Sequence, residues 1–197
     1  MRPLTSPAHS LVVLGIDPGL RATGWAVLAQ SDPHQNGALS TAEGSKGARV
    51  GQELEVLAYG AVHTEADVSL PERLRRLALG LREVIQRWRP AEAAVEEAFV
   101  AANKRVAIAM GEARGIALLA AAEAGLAVFE YSASEVKQAV TGYGRGSKEQ
   151  VQEMLRLQLG LGAVPQPPDA SDALAIALCH VVRRRAEARV AGARTFP

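Results

Sequence analysis

The sequence predicts an α/β domain built on a five-stranded mixed sheet with helices on both faces. Three strand-like apolar runs follow one another early in the chain, and consecutive strands favour antiparallel pairing. After them, helical and strand patterns alternate, which is typical of parallel strands joined by helices. The prediction is therefore three antiparallel strands followed by two parallel ones.

The first three strands are expected over residues 11–17, 23–29 and 54–64, where Val, Leu and other apolar residues dominate. Residues 31–52 separate the second strand from the third and are rich in Gly, Ser and Ala without periodicity. They predict a long hairpin insertion. Residues 1–10 are expected to form a flexible N-terminal extension.

A capping-box sequence from Ser69 to Glu72 predicts the start of the first helix, and Pro90 predicts its end. Apolar residues recur between them every three to four positions, which indicates one buried helix face. The arginines of this helix are expected to lie on its solvated face; they are Arg73, Arg76, Arg87 and Arg89.

The remaining elements alternate along the chain. Residues 91–99 predict the fourth strand, 103–124 an alanine-rich helix and 127–131 the fifth strand. Two further capping boxes begin at Ser132 and Ser147, and each predicts a helix. A last helix is expected from about Asp169. One domain over residues 11–182 and an Arg-rich tail over 183–197 complete the predicted organisation.

Composition excludes several classes of protein. The 197 residues are 48% hydrophobic and 22% charged, with a net charge of +1, which is typical of one soluble globular domain. The single cysteine, Cys179, excludes an internal disulfide. Neither a signal peptide nor an apolar run of about 20 residues is present, so a cytoplasmic protein without a membrane span is predicted.

Four acidic residues occupy positions where a fold favours apolar ones. Asp17 ends the first strand within Gly15-Ile-Asp-Pro-Gly19, and Glu96 lies in the apolar fourth strand. Asp169 and Asp172 share one face at the start of the last helix. Since functional clefts of open α/β sheets lie at the carboxyl ends of strands, Asp17 and Glu96 are expected to meet there.

Four converging carboxylates require a cation, because their mutual repulsion otherwise raises their pKa values. The expected ligands are all oxygens, which favours Mg²⁺, with Mn²⁺ as a substitute, over Zn²⁺. Two such ions about 3.5–4 Å apart would activate a water molecule and stabilise the leaving oxygen in phosphodiester hydrolysis.

Four segments together resemble the signature of the RuvC family of Holliday-junction resolvases. They span residues 15–25, 95–99, 128–138 and 168–175, in the family's order and spacing. The resemblance implies an RNase H-like fold, a homodimer, and Mg²⁺-dependent symmetric nicking of four-way DNA junctions in recombination and repair, leaving ligatable 5′-phosphate and 3′-hydroxyl ends. It also implies cooperation with the RuvA–RuvB branch-migration complex in the bacterial cytoplasm, on the nucleoid.

The resemblance also assigns roles to individual residues. Asp17, Glu96, Asp169 and Asp172 match the catalytic, metal-binding carboxylates. Phe99 matches an aromatic residue that stacks on a base, and Lys137 and Lys148 match lysines near the scissile strand. Positions on the helix after the fourth strand match as well: Asn103, Gly111, Arg114 and Gly115. Basic residues placed to contact DNA are Lys104, Arg105, Lys137, Arg145 and Lys148.

Simpler interpretations stand beside these roles. Glu97 is the rival of Glu96, since neighbours on a strand point to opposite faces. Asp169 is also a candidate N-cap, and Phe99 a candidate core residue. Cys179 and His180 are expected to be buried for structural reasons, without partners. Gly111 and Gly115 permit close helix packing, within the domain or across a dimer.

Two other functions share features of this sequence. Actin-like phosphotransferases have a phosphate loop similar to residues 15–24, but they need two such domains, and ATP hydrolysis would identify them. A non-catalytic junction-binding module of the same fold would bind DNA tightly without metal and without cleavage. The complete set of four carboxylates favours the nuclease.

Overall fold

The structure, a computed structural model, describes residues 9–31, 54–97 and 103–193. Most of the predicted extension and insertion, Phe99, and residues 194–197 lie outside these ranges. Within them the strands are β1 (His9–Asp17), β2 (Ala22–Ser31), β3 (Leu54–His63), β4 (Glu92–Glu96) and β5 (Ala127–Tyr131). The helices are α1 (Leu70–Trp88), α2 (Lys104–Glu123), α3 (Ala133–Thr141), α4 (Lys148–Gln158) and α5 (Pro168–Ala193).

The five strands form one mixed sheet in the order β3-β2-β1-β4-β5. β2 pairs antiparallel with both β1 and β3, whereas β4 pairs parallel with both β1 and β5. This arrangement confirms the predicted sheet, including the predicted contact between the first and fourth strands. β1 lies at the centre, so its carboxyl end is flanked by β2 on one side and β4 on the other.

Each face of the sheet is covered by helices, as predicted. Leu14 and Ile16 of β1 pack into a core with buried residues of α1 and α2. Val13, on the opposite face of the same strand, joins a core formed with α3, α4 and α5. The alternation of β1 side chains between two apolar cores explains why this strand is continuously apolar.

Two of the three predicted capping boxes form at the N-terminal ends of their helices. Ser132 and Ser147 both form complete boxes, with Glu135 and Gln150 respectively. α1 begins directly after Ser69, as predicted, but the Ser69 side chain makes no capping hydrogen bond, so the predicted capping box does not form. The carboxylate of Glu72, which would close that box, instead accepts hydrogen bonds from Arg75 at 2.7 Å and from Arg76 at 3.2 Å.

The last helix is longer than the sequence analysis expected. Residues 183–193, assigned to an Arg-rich tail, continue α5 as far as Ala193. Two arginines of this segment make ion pairs with earlier elements: Arg183 with Glu135 at 2.6 Å and Arg184 with Glu92 at 2.9 Å. These pairs attach the extension to the domain.

None of the helices in the described ranges is both long and apolar enough to span a bilayer.

Candidate active site

Asp17 is the last residue of β1 and lies opposite Gly24 of β2 in the antiparallel register. Glycine at positions 15 and 24 lets α5 approach the sheet closely. A Cβ atom at Gly15 would lie 2.2 Å from the carbonyl oxygen of Ala173, and one at Gly24 would lie 2.0 Å from that of Asp169. The backbone of α5 therefore rests directly on β1 and β2, beside Asp17.

The turn after Asp17 is held by hydrogen bonds from other elements. The buried hydroxyl of Thr64 donates to the Leu20 carbonyl at 2.6 Å, and the amide of Thr64 donates to the Arg21 carbonyl at 2.9 Å. The guanidinium of Arg73 donates to both the Thr64 hydroxyl, at 3.0 Å, and the Leu20 carbonyl, at 3.1 Å. These contacts fix the chain where it leaves β1.

Arg73 corrects the expectation that the α1 arginines lie on a solvated face. Its position precedes Leu77 and Leu81 by one and two helical turns, and both leucines are buried. Helical periodicity places Arg73 on that buried face, so the pattern itself contained the signal. The other arginines of α1 include Arg75 and Arg76, which pair with acidic residues at the surface.

Glu96 is the last residue of β4, next to Asp17, because β4 pairs in parallel with β1 up to Val95 opposite Ile16. Glu96 and Asp17 line the same cavity, whereas Glu97 is exposed and does not line it. The guanidinium of Arg114 contacts the Glu96 carbonyl at 3.4 Å and pairs with Glu130. Of the two neighbouring glutamates, the structure thus brings Glu96 to Asp17.

Asp169 and Asp172 lie in the first turns of α5, which begins at Pro168. Asp169 is therefore a helical residue and not an N-cap. Asp172 lines the cavity with Asp17 and Glu96, and its Oδ2 accepts a hydrogen bond from Lys148 Nζ at 2.8 Å. Asp169 does not line the cavity, but its charge acts on Asp17.

The cavity has a volume of about 250 Å³ and lies between the sheet end and the helices α3, α4 and α5. Its charged lining consists of Asp17, Glu96, Asp172, Lys137 and Lys148. The other lining side chains are apolar and come from the three helices: Ala133, Val136, Val151, Ala175 and Ile176. The cavity thus combines acidic and basic groups with an apolar lining contributed by the three helices.

Burial and, after it, repulsion between carboxylates raise the pKa values of the acidic groups in the cavity. Burial, followed by the charges of Asp172, Glu96 and Asp169, raises the pKa of Asp17 from 3.8 to about 7, and Lys148 only partly opposes this. Burial and the charge of Asp172 also raise the pKa of Glu96. The hydrogen bond to Asp172 raises the pKa of Lys148, which keeps this ammonium charged.

This imbalance fits a divalent cation. The lysines of the cavity do not neutralise its carboxylates, and all the acidic donors are oxygen atoms, which hard cations prefer. Across the described ranges, no three His, Cys, Asp or Glu side chains already form a metal-binding cluster. Lys148 donates to one of the two carboxylate oxygens of Asp172, so the other oxygen is available to a cation.

The basic residues predicted to contact DNA are exposed at the surface, and Lys137 and Lys148 among them line this cavity. Lys137 lies in the middle of α3, and Lys104 and Arg105 are exposed at the start of α2. Asn103 caps α2, since its side-chain oxygen accepts a hydrogen bond from the Arg105 amide at 2.9 Å. Phe99 lies outside the described residues, so its placement stays a prediction.

His180 is buried, as predicted, but the expectation that it has no partners was wrong. Nδ1 lies 2.8 Å from the Tyr131 hydroxyl, and Nε2 lies 2.6 Å from Glu92 Oε2. Since a carboxylate only accepts hydrogen bonds, Nε2 carries the proton and Nδ1 accepts from tyrosine. Burial lowers the pKa of His180, which is consistent with a neutral ring. This buried network joins α5 to β4 and β5.

Comparisons with known proteins agree with this geometry. Residues 45–180 match the family model described as "Crossover junction endodeoxyribonuclease RuvC". A protein of that name from Rubrobacter xylanophilus is 46% identical over 90% of this chain and 88% of its own length. The corresponding protein from Chloroflexus aggregans is 48% identical over 85% of this chain and 90% of its own length.

Solved structures show the same fold. That of Thermus thermophilus RuvC in complex with a Holliday junction substrate aligns with a TM-score of 0.75 at 37% identity, covering 90% of this chain and 96% of that one. The yeast mitochondrial Holliday junction resolvase Ydc2 aligns with a TM-score of 0.57 at 10% identity, over 92% and 83% of the two chains. The predicted RNase H-like fold is confirmed.

Proposed function

This chain belongs to the RuvC family, and from that premise we propose that it resolves Holliday junctions by metal-dependent hydrolysis of phosphodiester bonds. It would cut two opposed strands symmetrically, in recombination and repair, and leave 5′-phosphate and 3′-hydroxyl ends that a ligase can seal. The observation that supports this most directly is that Asp17, Glu96 and Asp172, from two strand ends and one helix, line a single cavity.

Asp17, Glu96 and Asp172 would hold the metal ions from inside the cavity, and Asp169 would complete the set from the first turn of α5. Mg²⁺, or Mn²⁺ in its place, would bind as two ions, and when bound they would activate water and stabilise the leaving oxygen. Each carboxylate ends a strand or begins a helix, so the rigid elements themselves set the spacing of the four ligands.

Cations outside the carboxylate set would position the DNA backbone. Lys137 and Lys148 line the cavity and would contact phosphates next to the cut. Lys104 and Arg105, at the start of α2, would contact the strand farther away. We retain the family-based roles of Phe99, as the residue that stacks on a base, and of Asn103, as a residue that contacts DNA.

A homodimer would place two such sites on the two strands of one junction. The exposed side of α2 supports it: Ile108 is 62% exposed, and among the described residues nothing lies within 4 Å of a Cβ atom at Gly111 or Gly115. Among the described residues these glycines therefore make no close packing contact within the chain, which favours contact between copies, with DNA contact as the other role. The dimer would work with the RuvA–RuvB complex on the nucleoid, in the bacterial cytoplasm.

The test is cleavage of a labelled four-way junction in Mg²⁺ or Mn²⁺, with a linear duplex of the same sequence alongside. We expect paired symmetric nicks in the junction alone, and ligation of those nicks by DNA ligase. Asp17→Asn and Glu96→Gln should each reduce the rate at least about 100-fold, since each removes a ligand from the metal set. Junction binding by both variants should survive.

Glu97→Gln is the matched control, because it makes the same chemical change one residue away, on an exposed side chain. It should cut at a rate within about twofold of the wild type. Tight binding without cleavage in either metal would instead support a binding module, and equal cutting of the linear duplex would contradict selectivity for junctions.

A further inference from the structure

The connection between α3 and α4 carries an exposed aromatic side chain that the proposed function does not use. Residues 141–148 read Thr-Gly-Tyr-Gly-Arg-Gly-Ser-Lys, and Tyr143 within them is 51% exposed. Three glycines surround it, and Gly142, at a φ of 80°, ends α3 in the left-handed conformation. A large ring is thus presented to solvent from a loop with little other side-chain bulk.

Hydrogen bonds hold this ring in place. The amide of Tyr143 donates to the Thr141 hydroxyl at 3.3 Å, and its own hydroxyl donates to Gln150 Oε1 at 3.3 Å. The same oxygen of Gln150 accepts from the Ser147 amide at 2.9 Å, within the capping box of α4. The aromatic side chain is therefore tied to the first turn of α4, and Tyr143 remains about half exposed to solvent.

That turn of α4 is part of the candidate active site. Lys148 is its first residue, lines the cavity and donates to Asp172 at 2.8 Å. The Tyr143 hydroxyl bonds to Gln150 Oε1, which also accepts from the Ser147 amide, so this hydroxyl lies at the N-terminal end of α4, where Lys148 is the first residue. Tyr143 itself does not line the cavity. A DNA strand with its phosphate at Lys148 would pass this ring.

The chemistry of the loop matches a nucleic-acid strand. Arg145, two residues from Tyr143, is exposed, and within the described part of the chain it makes no ion pair. A half-exposed aromatic side chain close in sequence to an exposed cation is a combination suited to an unstacked base and its phosphate. A purely structural tyrosine would instead have its ring covered by other side chains, with only the hydroxyl reaching a polar partner.

We propose that Tyr143 stacks on a base of the scissile strand, next to the phosphate held at Lys148, and so positions that strand over the carboxylates. This inference rests on the proposed function, because it takes the four-way junction as the substrate. It assigns Tyr143 as a DNA-positioning residue in addition to the family-derived Phe99.

The experiment uses full-length chains in which Asp17→Asn keeps the junction intact, and junctions with 2-aminopurine placed in turn at each position flanking the cut. Stacking of the ring should change the fluorescence at one position. Tyr143→Phe keeps the ring and should preserve that change, whereas Tyr143→Leu should abolish it and weaken junction binding about tenfold. With Asp17 intact, Tyr143→Leu should mainly raise KM.

Tyr59→Leu is the matched control, since Tyr59 is 40% exposed on β3 and does not line the cavity. It should leave fluorescence and affinity unchanged. Equal defects in Tyr143→Phe and Tyr143→Leu would show that the hydrogen bond to Gln150 matters and would overturn stacking. Stacking would also be overturned if Tyr143→Leu binds and cuts junctions like the wild type while Asp17→Asn stays inactive. That result would leave the proposed function intact. Failure of the wild type to bind junctions would overturn both proposals.

Discussion

Asp17 combines two demands that oppose each other. Its carboxylate has to be charged to hold a metal ion, yet burial and three neighbouring acids favour its protonated form and raise its pKa to about 7. In the absence of metal, the fold therefore bears an electrostatic cost at this residue. Destabilising charge of this kind is common where function requires it, and removing it stabilises the protein at the expense of activity.

Asp17→Asn should therefore stabilise the metal-free protein in a pH-dependent way. Between the unfolded pKa of 3.8 and the folded pKa of about 7, the folded state binds the extra proton, so wild-type stability falls as the pH rises through this range. The variant lacks this loss. We expect it to be more stable by about 2–4 kcal/mol at pH 8, with the difference vanishing towards pH 4. Urea unfolding in EDTA measures this.

Adding Mg²⁺ or Mn²⁺ at pH 8 provides the complementary measurement. The wild type should gain stability from the metal, because binding to the folded state alone shifts the unfolding equilibrium, and Asp17→Asn should gain much less. Equal stability of the two proteins at pH 8 without metal would contradict the raised pKa of Asp17.

The approach of α5 to the sheet determines whether the carboxylates meet at all. A methyl group at Gly24 would meet the backbone carbonyl of Asp169 at 2.0 Å, and backbone atoms in a helix cannot move aside independently. Gly24→Ala should push the first turn of α5 away from β2, carrying Asp169 and Asp172 with it. We expect a loss of about 1–3 kcal/mol in stability and a much larger loss of cleavage.

Gly162→Ala is the control for that experiment, because among the described residues nothing lies within 4 Å of the added methyl group. Its cleavage rate and its stability should both stay close to those of the wild type. Retained activity in Gly24→Ala at temperatures where the variant is folded would show that α5 tolerates a shift and that the close contact is not required.

The elements that sequence reasoning placed well are those with local signals. Capping boxes at Ser132 and Ser147 mark their helices within the chain itself, and the succession of strands and helices predicted the mixed sheet and the pairing of its first and fourth strands. The end of α5 was missed because residues 183–193 are held by partners distant in sequence. Arg184 pairs with Glu92 and Arg183 with Glu135, and neither partner is evident before the chain is folded.

In the candidate site, too, features with a local sequence signal were predicted, and contacts between residues distant in sequence were not. Asp17 and Glu96 were predicted from acidic residues at strand ends, and the structure brings both to one cavity. The hydrogen bonds from Arg73 that hold the turn after Asp17 were not predicted. They depend on Thr64 lying beside Leu20 at the end of the sheet. The partners of His180 were missed for a similar reason, because Tyr131 and Glu92 belong to different strands.

The distribution of charge over the whole molecule, and not its total, should govern DNA binding. The net charge is only +1, but exposed cations predicted to contact DNA lie at the start of α2, on α3 and in the α3–α4 loop. Each phosphate contact releases counterions, so the logarithm of the binding constant should fall linearly with the logarithm of the salt concentration.

The slope of that line also reports how many copies of the chain bind one junction. Lys104→Gln removes one proposed phosphate contact per chain, which should reduce the slope by about 0.9 for one bound chain and by about 1.8 for a symmetric pair. Arg75→Gln is the control, because Arg75 lies on α1 and pairs with Glu72 at 2.7 Å, so the slope should not change. Titrations of the junction at several salt concentrations measure all three proteins. A decrease in slope near 1.8 supports a dimer bound to its two-fold junction. A decrease near 0.9 means that one copy binds alone. An unchanged slope means that Lys104 does not contact DNA.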